Sequence, residues 1–166
     1  MLSGSFGPSY PAWEFCRRDS LAGHWTLIDP ISHRPIYYVF APREKDGALS
    51  TEIRRRSADG PLVASISLQS SPPRCLVAFA DDDHHNIELK PNFRGRHRFT
   101  VDSKHLYWKR DVVCRESRTR HVYAETKDTA LFIHGTDEKF ADVIIATFVA
   151  LRLKAQNTKR RRYSCF

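Results

Sequence analysis

Between Val143 and Leu151 the chain reads Val-Ile-Ile-Ala-Thr-Phe-Val-Ala-Leu, helical in its residue types and apolar on every side. A helix lying on one face of a sheet needs only a single apolar stripe, so a helix without a polar side must be surrounded. Almost everything before it is cut into short β-rich segments. Those strands are expected to wrap around the helix, and no other feature constrains the architecture as much. A membrane span is the competing explanation. It needs about 20 largely apolar residues, whereas Asp142 lies inside this segment and Arg152 and Lys154 close it. The buried-core reading is preferred, with no transmembrane span.

Alternation and turn residues mark eleven strands: Trp25–Asp29, Ile36–Phe40, Leu49–Arg55, Leu62–Leu68, Cys75–Ala80, Ile87–Lys90, Arg96–Val101, His105–Arg110, Val112–Arg115, His121–Glu125 and Ala130–His134. Asp46-Gly47, Asp59-Gly60, Pro72-Pro73 and Asp102-Ser103 punctuate them. The connections suit antiparallel hairpins. Gly135 ends the last strand, and Thr136 or Asp137 caps a helix over residues 137–156. The Thr147 hydroxyl can bond back to the Val143 carbonyl. The expected fold is mainly β with one helix: a closed antiparallel barrel of about 11–12 strands around a buried C-terminal helix. Residues 1–20, with Gly4, Gly7, Pro8 and Pro11, read as a loose arm that Trp13 and Phe15 can pin. Residues 21–156 form the barrel domain, and residues 157–166 a basic tail.

Three stretches carry a family resemblance. They are Trp25–Asp29 leading to Pro35–Val39, Phe99–Asp102 followed by Leu106–Arg110, and Phe140–Phe148. They resemble, in turn, the opening hairpin, the mid-barrel hairpin and the buried helix of the tubby C-terminal-like superfamily. That group includes tubby proteins, plant LURP-one-related proteins and phospholipid scramblases. The match is nearest to single-domain fungal members and covers roughly residues 20–156. Tubby domains bind phosphoinositides through basic side chains, so the resemblance implies an anionic lipid headgroup as ligand. The calcium segment and palmitoylated cysteine cluster of scramblases are not recognisable.

The 166 residues suit one domain, and the net charge of +8 favours acidic partners. These are an anionic lipid headgroup, an acidic protein or nucleic acid; a merely soluble basic surface is the plainer reading. The four cysteines, at positions 16, 75, 114 and 165, include no C-x-x-C pair and no zinc-ligand spacing. The first residues lack signal-peptide character. A monomer in a reducing, intracellular setting is expected: cytoplasmic, membrane-peripheral or nuclear.

From Arg94 to Arg120 there are nine Lys or Arg against three acids. Arg94, Arg96 and Arg98 alternate, so they share one strand face, with Phe99 turned towards the helix. Lys109, Arg110 and Arg115 follow on neighbouring segments. Guanidinium groups in such an array suit phosphates, although outward strand positions are polar by default. In the tail, Lys159, Arg160, Arg161 and Arg162 fit a nuclear signal, a contact with anionic membrane or a solubilising end. Cys165 beside them is a candidate for acylation. Asp81-Asp82-Asp83-His84-His85 lacks the glycine and spaced glutamate of a calcium loop and reads as a polar hairpin, so no metal site is assigned. No G-x-S-x-G, H-E-x-x-H or phosphate-binding glycine loop is present. No catalytic residue or cofactor is assigned, and a non-enzymatic binding module is expected. Tyr107 and Trp108 would stack nucleic-acid bases if exposed. Burial of Trp108 would leave only the cationic face.

Overall fold

The computed structural model describes residues 13–16, 24–29, 32–40, 49–70, 73–81, 85–110, 112–127 and 130–163. The first strands are β1 (Trp13–Cys16), β2 (His24–Ile28), β3 (Pro35–Phe40), β4 (Leu49–Arg55), β5 (Leu62–Ser70), β6 (Pro73–Phe79) and β7 (Ile87–Glu88). They are followed by β8 (Lys90–Pro91), β9 (Arg96–Val101), β10 (Lys104–Lys109), β11 (Val113–Glu116), β12 (Val122–Lys127) and β13 (Ala130–Ile133). The helix α1 (Glu138–Tyr163) follows them.

All eleven expected strands form, but one is split. The run Ile87–Lys90 breaks at Leu89 into β7 and β8. The thirteenth strand, β1, lies in what composition reads as a loose arm.

The expected closed barrel does not form. The strands follow the order β7-β6-β5-β4-β3-β2-β1-β13-β12-β11-β10-β9-β8. Two six-strand antiparallel meanders, β2–β7 and β8–β13, are joined by β1, which pairs with β2 and β13. At the far ends, among the described residues, β7 pairs only with β6 and β8 only with β9. The reason lies at Leu89. Its N–H donates to the Cys75 carbonyl at 2.9 Å, and its side chain is buried. The chain thus uses this residue to hold β6 and fill the core. It leaves two-residue strands on either side, too short for a closing ladder.

The helix is nevertheless enclosed. Every residue from Val143 to Ala150 has 0% of its surface exposed. Leu27, Val39, Ile53, Ile66, Val77, Leu106, Trp108 and Leu131 belong to the same core. The alternation of β9 meets the helix as expected, with Phe99 and Val101 buried and Arg98 and Thr100 exposed.

Helix α1 starts where the Asp137 carboxylate accepts the Phe140 N–H at 2.8 Å, so Asp137 supplies the cap. Its end differs from the expected residue 156. No glycine or proline occurs after Gly135, and Lys154–Arg162 is rich in good helix formers. The helix therefore runs on to Tyr163 after its apolar stretch ends, and the backbone of Lys159, Arg160, Arg161 and Arg162 is helical. The side chains of residues 159–163, and all of Cys165, lie outside the described residues.

Candidate functional site

Strand register assembles the cations. Arg98 of β9 stands opposite Tyr107 of β10, and Tyr107 opposite Arg115 of β11. Arg96 stands opposite Lys109 in the same way. Partners across an antiparallel ladder share a face, so Arg96, Arg98, Lys109 and Arg115 lie together on the outer side of the sheet. Lys90 of β8, which the sequence does not single out, extends the row opposite Arg98.

Arg94 and Arg110 lie in turns rather than strands, and the two turns touch. The Arg110 N–H donates to the Gly95 carbonyl at 3.4 Å. Asn92 shapes the first turn, its side-chain oxygen accepting the N–H groups of Arg94 and Arg96, both at 3.0 Å. Arg110 has φ 52, in the left-handed region that glycine or asparagine occupies more readily. Among the described residues, none of Arg94, Arg96, Arg98, Lys109, Arg110 and Arg115 pairs with a carboxylate.

The aromatic pair on β10 divides between the two faces. Trp108 points inward with 0% exposed. Its indole N–H donates to the Thr147 hydroxyl at 2.9 Å, and its ring lies 5.5 Å from that of Phe148. The Thr147 hydroxyl lies 2.9 Å from the Val143 carbonyl, the expected back-bond, and 3.0 Å from that of Ile144. Tyr107 points outward but is covered. The Arg96 guanidinium lies 4.8 Å from its ring centre, and Arg120 donates to its hydroxyl at 3.2 Å. Neither ring offers a face for base stacking.

Two polar clusters lie at the ends of the helix core. Near the helix start, Asp142 accepts hydrogen bonds from the Tyr37 hydroxyl and the Arg55 guanidinium, each at 2.5 Å. Arg55 also meets Glu138 at 2.9 Å. Burial, and then the Asp142 charge, push the Tyr37 hydroxyl far above the ordinary phenol range. Burial also raises the Asp142 carboxyl, against the lowering pull of Tyr37 and Arg55. Towards the other end, the Lys154 ammonium lies 3.3 Å from His97 Nε2. Burial, followed by the charge of Lys154, lowers His97 to about 4. The neutral ring thus accepts from Lys154, and its other nitrogen, Nδ1, has no partner among the described residues. Burial raises the Cys75 thiol to about 11, so it is not a poised nucleophile.

Two concavities among the described residues bear on these elements. One, of about 590 Å³, opens between β7 and β9 and is lined by Glu88, Lys90, Arg98, Thr100 and His105, among others. Arg74 holds the Glu88 carboxylate there through two bonds, at 3.0 and 3.2 Å. The other, of about 330 Å³, lies by the helix start between Lys104, Tyr123 and Asp137. Among the described residues no three His, Cys, Asp or Glu side chains come together to hold a metal; Asp82, Asp83 and His84 of the acidic loop lie outside them. Among the same residues no helix is long and apolar enough to cross a membrane. Comparison with protein families, with curated proteins and with solved structures finds no match to this chain.

Proposed function

We propose that this protein is a binding module for an anionic lipid surface, docking through the outer face of β9, β10 and β11. The observation that carries the reading is the array just described: six cations on adjoining strands and turns, without a carboxylate partner among the described residues. Cations left without internal partners add little to stability. They do create an electrostatic surface that concentrates anions. A lipid headgroup suits it because guanidinium groups grip phosphate oxygens in pairs.

The test is sedimentation with phosphatidylserine-containing vesicles against pure phosphatidylcholine, with a short DNA duplex as a parallel arm. The protein is expected to pellet with the anionic vesicles only, and to be released as salt shortens the screening length below about 10 Å. Equal pelleting with neutral vesicles, or tight duplex binding with no vesicle binding, rejects the reading.

A further inference from the structure

The strongest unexplained feature outside the charges is Phe93, 91% exposed at the apex of the β8–β9 turn. It has no packing role within the fold. On the β10–β11 turn, Val112 is 49% exposed. The Arg110–Gly95 hydrogen bond joins the two turns, so both apolar groups sit at one end of the sheet. Lys90, Arg94 and Arg96 flank the first turn in sequence and Lys109 and Arg110 the second, with Arg96 and Lys109 paired across the strand ends, and Asp111 is the one acid in the sequence of the two turns. The Arg94 guanidinium lies 5.3 Å from the Phe93 ring centre.

The helix leaves by this same end. Lys154 meets His97, the neighbour of Arg96, and nine more helical residues follow, about 13 Å of backbone at 1.5 Å per residue. The sequence of that extension contains Lys159, Arg160, Arg161 and Arg162.

We infer that the Phe93 turn is an insertion wedge: Phe93 and Val112 enter the acyl boundary of an anionic bilayer while the surrounding cations hold its headgroups. The inference rests on the lipid-surface reading and adds a second, apolar contact to it. An exposed aromatic in a turn fits a bilayer, which yields around it. A folded protein partner would need a pocket shaped for it. Charge alone and one apolar group alone each give weak, reversible membrane attachment, and the two together reinforce each other.

The experiment compares Phe93→Ala and Phe93→Trp with the unaltered chain on phosphatidylserine-containing vesicles. Burial of a phenyl group is worth a loss of roughly ten- to a hundredfold in vesicle affinity for Phe93→Ala, with an unchanged melting curve. The added emission of Phe93→Trp is expected to shift to shorter wavelength on vesicles and to be quenched by brominated acyl chains. Binding to a heparin fragment should be the same for all three proteins. If Phe93→Ala binds vesicles as well as the unaltered chain and Phe93→Trp stays unquenched, the wedge is overturned and the electrostatic docking stands. Equal loss on vesicles and on heparin also overturns the wedge, because the residue then serves a contact that needs no acyl chains. If the unaltered chain does not bind anionic vesicles at all, both readings fall.

Discussion

The two ends of the helix treat charge in opposite ways. Near its start, Asp142, Arg55, Tyr37 and Glu138 satisfy one another in a partly buried network. At the other end, the neighbouring strand ends and turns present Arg94, Arg96, Lys109 and Arg110 with no carboxylate among the described residues to meet them. The first arrangement fixes the helix against β3 and β4. The second adds little to the fold and remains available to a ligand. Pairing, more than the number of charges, separates a structural cluster from a candidate binding surface.

The largest effect is expected between the two ends. Phe148→Ala removes a fully buried ring that packs on Trp108, and should cost about 3–5 kcal/mol in a thermal or denaturant melt. A negligible change would contradict the enclosed helix on which the comparison depends.

At the paired end, Asp142→Ala leaves Arg55 and Tyr37 without their shared acceptor. A loss of about 2–4 kcal/mol is expected, because uncompensated partly buried polar groups carry their desolvation cost. Vesicle binding per folded molecule should not change. A variant that melts normally but binds poorly would reverse the roles of the two ends.

The ends should also respond oppositely to pH. His97 titrates near 6.5 when unfolded and at about 4 in the fold. Between those values the unfolded chain takes up a proton that the native ring refuses, so His97 stabilises the fold above 6.5 and that stability is lost as pH falls towards 4. Asp142 has the other sign. Its raised folded value gives stability that is present below its unfolded value of 3.8 and lost as pH rises through the folded one. His97→Gln should therefore flatten the fall of melting temperature between pH 6.5 and about 4. An unchanged slope would remove His97 from the account.

Much of this contrast was legible in the sequence. Alternation located the strands, and the helix without a polar face required enclosure. The cations of β9 to β11 were visible as a run, although Arg94 and Arg110 fall in turns. Phe93 carried only a weak signal, an aromatic residue beside arginine in a turn. The paired cluster was not legible, because Tyr37 and Asp142 are 105 residues apart and only the fold joins them. Trp108 gave no direction, since Tyr107 beside it is also aromatic; its donation to Thr147 across 39 residues decides it. Closure failed at Leu89 for a similar reason. Its place in the alternation does not show whether its backbone turns to β6 or continues a ladder. Strand β1 was hidden by the glycines and prolines before it.

The most direct test combines Arg94→Gln, Arg96→Gln and Arg98→Gln in one protein and reads melting and anionic-vesicle sedimentation on the same sample. Loss of the Arg96–Tyr107 contact should cost about 0.5–1 kcal/mol, and the exposed arginines little more. A nearly unchanged melt with vesicle binding abolished is expected. Binding that survives the triple substitution but disappears when residues 158–166 are removed would contradict it, placing the membrane contact on the helical extension and leaving the sheet face as solvated surface.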